Sequence, residues 1–299
     1  MISLRRLPQY LDLKRNFIIV MLSGSVLLLF MFTIYPFIYN MYTSLTNYFL
    51  LSKEEQVFVG LRNYLQVLQD PDFWAAQKIS LYYVVGAVTV EVVLGFFVAY
   101  LLNEEDTLRN LFLAIILLPL AATPVAISFV WRIMFNADMG VFNYLLGLVG
   151  LPPSKWAAGT STALPSLILV DIWQWTPFVI LILLAGLMSL PGELFEAAEV
   201  DGATRMQVLR YVTIPLLKPA IVVVTLLRLL DAIKVFDTIY VITGGGPVNK
   251  TQTLNVYTYL QAFKYFKMGY AATLAVMMLA ILTIVATILV RSANIGDVL

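Results

Sequence analysis

Six apolar stretches, each long enough to cross a lipid bilayer, constrain this chain more than anything else in it. They cover residues 17–39, 79–102, 111–135, 164–187, 219–241 and 270–290. As helices rising about 1.5 Å per residue, each bridges a hydrocarbon core of roughly 30 Å. The predicted fold is an all-α membrane protein, a polytopic bundle of six transmembrane helices. With 61% hydrophobic and 12% charged residues in a length of 299, there is no room for a large soluble domain beside the bundle.

The chain has neither cysteine nor histidine. This removes disulfides, thiolate chemistry, Cys or His metal sites and imidazole acid–base catalysis. No metal site is predicted, and no basic cluster points to nucleic acid. Arg5, Arg6, Lys14 and Arg15 precede the first apolar run. That run is longer than a signal-peptide core, and Tyr35 and Pro36 stand where small residues would mark cleavage. Residues 1–16 read as a cytoplasmic N-terminal segment, and 17–299 as the transmembrane domain. Over the whole chain the basic residues outside the spans divide almost evenly between the two sides, so the orientation rests on those first four. Six crossings then place both termini in the cytoplasm, and the loop 189–218 with them.

That loop has a pattern of its own. Pro191 and Gly192 open it, 193–200 favours helix, Asp201 and Gly202 break the helix, and 203–212 can form another before Pro215 and Pro219. A helix, a tight turn and a helix are predicted. On the first helix Leu194, Ala197 and Ala198 share one face, while Glu193, Glu196 and Glu199 make a second, acidic face. The alternative, a short helix resting on headgroups, fits an acidic face poorly because inner leaflets are themselves negative.

The run Glu196-Ala197-Ala198-Glu199-Val200-Asp201-Gly202-Ala203, with Ile214-Pro215 and Pro219 downstream, resembles the signature of the membrane subunits of ABC importers. The likeness extends from about Phe58 to Val290 and is nearest to carbohydrate permeases of the maltose, trehalose and glycerol-phosphate kind. Leu209 and Val212 depart mildly from that pattern. The resemblance implies a type I importer permease fold in which Glu196, Ala197, Ala198, Asp201, Gly202 and Ala203 couple the chain to an ATPase. It implies as partners a second homologous permease subunit, two ATP-binding cassette subunits that hold ATP and Mg, an extracytoplasmic solute-binding protein, a sugar and membrane lipid. The chain itself would be no enzyme and carry no cofactor, and would sit in the inner membrane. Aligned without gaps, the family's solute-lining positions fall at Asp171, Gln174, Trp175, Phe178, Asp231, Ala232 and Val235.

Ionisable groups inside spans are costly and count as functional candidates. Arg228, Asp231, Lys234 and Asp237 recur at steps of three in the fifth stretch, either as a structural ladder of ion pairs or as a polar strip along a solute path. Trp173 and Trp175 fit either a sugar-stacking surface or an interfacial aromatic belt. Glu91 stands alone in the second stretch and is expected to bond within the bundle. Two amphipathic runs, 60–74 and 142–151, are suited to the outer interface. The Gly244–Thr251 loop lacks the glycine a phosphate-binding loop needs before its lysine. An ion-coupled secondary transporter is the alternative function; it predicts paired repeats, and none is evident. An intramembrane enzyme would need an Asp pair or a Ser–Lys arrangement that no local motif proposes.

Overall fold

The computed structural model describes residues 7–53, 55–104 and 108–292. Arg5 and Arg6 lie outside the described residues, as do the side chains of Lys14 and Arg15. The helices, in chain order, are α1 (Leu7–Leu29), α2 (Tyr35–Ser44), α3 (Arg62–Gln69), α4 (Pro71–Glu104), α5 (Arg109–Ile116), α6 (Leu118–Ala121), α7 (Pro124–Met134) and α8 (Val141–Leu148). They continue as α9 (Ala163–Met188), α10 (Gly192–Val200), α11 (Arg205–Val208), α12 (Ile214–Ile233), α13 (Asp237–Ile242), α14 (Leu254–Phe263) and α15 (Met268–Ser292). Among the described residues β pairing is confined to one isolated bridge, Thr46 to Phe58. Among the described residues four helical segments are long and apolar enough to cross a membrane: Asn16–Ser44, Pro71–Glu104, Ala163–Met188 and Met268–Arg291.

The other two apolar stretches are not single helices of the expected extent. Within 111–135, Pro119 and Pro124 each lack an N–H, and Ala122 and Thr123 adopt extended backbone ahead of Pro124. The stretch therefore becomes α5, α6 and α7. The fifth begins earlier and ends sooner than read. A π-helical turn over Leu209–Thr213 joins α11 to α12 without a gap, so Pro215 and Pro219 do not stop the helix. Pro215 falls in the first turn after this wide turn, where a missing N–H costs little. At the other end α12 stops at Ile233, and Asp237 opens α13. A π-helical turn over Phe30–Ile34 likewise joins α1 to α2.

The chain divides into two compact units. One comprises residues 1–67 with 261–276. Its centre is polar: the amide of Asn63 donates to the carbonyls of Ser44 (2.9 Å) and Thr46 (2.7 Å), and the Thr273 hydroxyl donates to the carbonyl of Ser44 at 3.0 Å. The carbonyl of Ser44, the last residue of α2, is thereby satisfied twice. Bulky side chains along Phe17–Phe37 are exposed, as a lipid-facing helix requires.

The second unit, residues 68–260 with 277–299, is built on α4, α9 and α12. The α4–α9 contact is close because Gly95 faces Val179: a Cβ there would lie 2.6 Å from Val179 Cγ1. Two apolar clusters result. One, around Ala99, Leu183, Leu187 and Leu217, lies toward the loop; the other gathers Tyr83, Trp131, Leu167 and Ile239. Rings of Trp131, Phe135, Phe142 and Trp156 pack onto this second cluster at centroid distances of 5.2 to 5.5 Å. Phe142, read as part of an interfacial run, is thus drawn into the bundle by aromatic packing.

Candidate functional site

Between the two apolar clusters sits a buried charge cluster. Arg228 on α12 is 1% exposed, Glu91 on α4 0% and Asp171 on α9 3%. The guanidinium donates from Nε to Glu91 Oε2 at 2.7 Å, from Nη2 to Glu91 Oε1 at 3.0 Å, and from Nη2 to Asp171 Oδ2 at 2.9 Å. Its face lies 4.8 Å from the centroid of the Trp175 ring. A planar fork held by one carboxylate edge-on, a second carboxylate beside it and a ring across its face is a geometry only arginine can satisfy. Removed from water, such a group is tolerable only when paired this way. Of the two readings of the fifth stretch, a continuous ladder of ion pairs is not what the side chains form, and all four charged residues line one pocket. Arg228 turns to α4 and α9, and what remains is an exposed Lys234–Asp231 pair at 3.3 Å.

Above this cluster opens a pocket of about 280 Å³. Of the seven positions carried over by resemblance, Asp171, Trp175, Asp231, Ala232 and Val235 line it. Gln174 and Phe178 do not. Gln174 is 2% exposed with its Oε1 unpaired, and Phe178 stands edge-on behind Trp175 at 6.4 Å. The two tryptophans separate: Trp175 faces Arg228, whereas Trp173 meets Trp131 edge-on at 5.5 Å and is 45% exposed. Arg228, Lys234, Phe236, Asp237 and Pro124 also line the pocket. Lys234, Phe236 and Asp237 come there because α12 ends at Ile233 and the chain turns through 234–236 into α13, Pro124 because α7 begins at it, and Arg228 from within α12. For Glu91 the available signal is a lone charge in an apolar run, which implies an opposite partner on another helix, whereas Arg228 has nearer carboxylates in its own stretch. For Phe236 and Pro124 no local signal existed.

The loop 189–218 forms the second feature. In α10, Glu193, Glu196 and Glu199 are exposed, Ala197 is exposed and Ala198 half-buried. Gly202 turns the chain with φ +72°, a left-handed conformation that suits glycine, and Asp201 and Gly202 are exposed at that turn. The next helix is started by a capping box: Thr204 Oγ1 accepts from the Gln207 N–H, and Gln207 Oε1 accepts from the Thr204 N–H at 2.7 Å. Half-buried Ala203 lies beside a cleft of about 560 Å³ lined also by Tyr100 and Glu104 of α4, Leu187 of α9, and Phe195 and Arg205 of the loop. Leu194, Val200, Met206 and Tyr211 are exposed along the loop's outer side.

A family model described as "binding-protein-dependent transport system inner membrane component" matches residues 91–294. A probable ABC transporter permease protein of Sinorhizobium fredii is 45% identical over 235 residues, covering 78% of this chain and 76% of the relative. A trehalose/maltose transport system permease protein of Thermococcus litoralis is 40% identical over 72% of each chain. A sulfoquinovosyl glycerol transport system permease protein of Agrobacterium fabrum is 31% identical over 99% of this chain and 96% of the relative. The crystal structure of a bacterial ABC transporter that imports alginate superposes with a TM-score of 0.83, at 21% identity, over 96% of this chain and 98% of that one; it shares the fold. A polytopic helical chain matched from Glu91 to the end of α15, with a polar loop opposite a charged pocket, belongs to the family of inner-membrane permease components of binding-protein-dependent transport systems.

Proposed function

We propose that this chain is the transmembrane subunit of an ATP-driven importer and that it carries a sugar delivered by an extracytoplasmic binding protein. Relatives named for trehalose, maltose and sulfoquinovosyl glycerol transport support the solute class. The observation that carries the reading is the helical rod from Arg205 to Ile233. It joins the loop to the pocket with no intervening flexible joint. Over the interval from Arg205 to Arg228, a helical rise of about 1.5 Å per residue gives roughly 35 Å.

In this proposal α10 and the Gly202 turn dock on an ATPase subunit through Glu196, Ala197, Ala198, Asp201 and Ala203. ATP is bound and hydrolysed there, not here. When the ATPase pair closes, the loop moves as a body, α12 moves with it, and the Arg228 clamp obliges α4 and α9 to follow. The pocket lined by Asp171, Trp175 and Asp231 then exchanges access between the two sides of the membrane. Trp175 offers a flat face for sugar C–H groups, and the carboxylates accept from sugar hydroxyls. A second permease subunit completes the path. In this reading the chain makes six crossings, counting α5–α7 as one and α12 with α13 as one, and, with the basic N-terminal segment inside, has both ends and the loop in the cytoplasm. ATP and loaded binding protein must then favour the same conformation for hydrolysis to be coupled to import.

The test is reconstitution of the chain with its partner permease, ATPase and binding protein in proteoliposomes, followed by uptake of labelled disaccharides. Uptake that needs ATP and ignores a protonophore is expected. Uptake that persists without ATP and collapses with the protonophore would instead establish ion coupling.

A further inference from the structure

The pocket beside Trp175 has an unusual charge inventory. This chain contributes three carboxylates to its wall, Asp171, Asp231 and Asp237, against two cations, Arg228 and Lys234. Neither cation is uncommitted. Arg228 is held by Glu91 through two hydrogen bonds and by Asp171 through a third, so its single charge already faces two carboxylates. Lys234 pairs with Asp231 at 3.3 Å. Among the described residues Asp237 has no ion-pair partner, and it opens α13 at an exposed position. A solute carboxylate, phosphate or sulfonate entering this pocket would meet more carboxylates than cations, with Arg228 already saturated and Lys234 shared with Asp231. A hydroxyl-rich neutral ring would find acceptors at the carboxylates and a flat partner in Trp175.

We propose that this pocket is a charge filter: it passes uncharged sugars and rejects sugars bearing an anionic group, with Asp231 and Asp237 as specificity-determining residues. The proposal rests on the sugar-importer reading and goes beyond it. The carboxylates act before and during passage, so their effect belongs to translocation and not to capture by the binding protein.

The experiment uses the complete reconstituted transporter with a neutral disaccharide, trehalose or maltose, and its analogue in which one primary alcohol is oxidised to a carboxylate. Each sugar's occupancy of the binding protein is measured by titration, and uptake is compared at matched occupancy. The neutral sugar is expected to enter at least about tenfold faster, a difference equivalent to about 1.4 kcal/mol. In the D231N/D237N variant the ratio should narrow several-fold, chiefly by faster entry of the anion. Equal rates in the native protein, or an unchanged ratio in the variant with uptake of the neutral sugar retained, would overturn charge selection alone. Should no disaccharide of a labelled panel be taken up with ATP, the sugar-importer reading falls and the filter falls with it.

Discussion

Arg228 and Glu91, 137 residues apart in sequence, form a two-pronged ion pair at 2.7 and 3.0 Å that is sealed within the bundle. The pair ties α12 to α4, and the additional bond to Asp171 ties both to α9. A charge cluster of this kind is poor evidence of stability in itself, because desolvation consumes much of the Coulombic gain. Breaking it is another matter.

Replacing Arg228 by Met leaves Glu91 and Asp171 facing each other without a counter-ion. The expected loss is about 3–5 kcal/mol. Glu91→Gln leaves the Arg228–Asp171 pair intact and should cost distinctly less. Thermal unfolding of the purified protein in detergent ranks the two; equal losses would show that the cluster does not behave as one electrostatic unit.

The two neighbouring tryptophans should respond differently. Trp175→Ala removes a flat face from the pocket and a cation–π contact worth up to about 2 kcal/mol where desolvated. An increase of about tenfold in the sugar concentration for half-maximal uptake is expected. Trp173→Ala removes only an edge contact with Trp131 on a half-exposed surface and should leave that concentration within about twofold. Transport titrations on the two variants decide the matter, and a reversed order would move the solute face away from Trp175.

At Gly202 a Cβ would meet nothing within 4 Å, so the cost of substitution is conformational and not steric. Gly202→Val should cost about 1–2 kcal/mol of turn geometry. The protein is expected to insert and purify normally but to lose most ATP-driven uptake, because the turn sets the direction in which α10 projects. Unimpaired uptake in this variant would argue against a rigid lever.

Since the chain has no cysteine, a single introduced thiol reports topology without background. Ala197→Cys, at an exposed site of α10, should react with a membrane-impermeant maleimide in inside-out vesicles and not in right-side-out ones. Protection of that thiol when the ATPase subunits are bound would place the docking face. Labelling from the outside would reverse the proposed orientation.

Much of the helical architecture is legible in local chemistry. Apolar runs of bilayer length, the proline-and-glycine opening of the loop, and the glycine at its turn are properties of neighbouring residues, and neighbouring residues suffice to reveal them. The same local logic missed the interior breaks of the third stretch and misplaced the ends of the fifth. Whether a proline stops a helix depends on what surrounds it: Pro124 follows extended backbone and breaks the chain, whereas Pro215 follows a wide turn and is absorbed.

The pocket lies at the boundary between the two kinds of information. Trp175 and Asp231 could be singled out from their types and Asp171 from the family resemblance, but the i, i+3 pattern of Arg228, Asp231, Lys234 and Asp237 left pairing along one helix and a polar strip on a solute path equally open. Folding instead sent Arg228 to carboxylates on two other helices, because in a low-dielectric interior the guanidinium gains most from partners that share its burial. By itself the order of residues determined that this chain crosses membranes as helices and carries a polar loop with a glycine turn. Only tertiary structure decided which charges neutralise one another and which remain to meet a solute, since that depends on distances across the bundle between residues far apart in the chain.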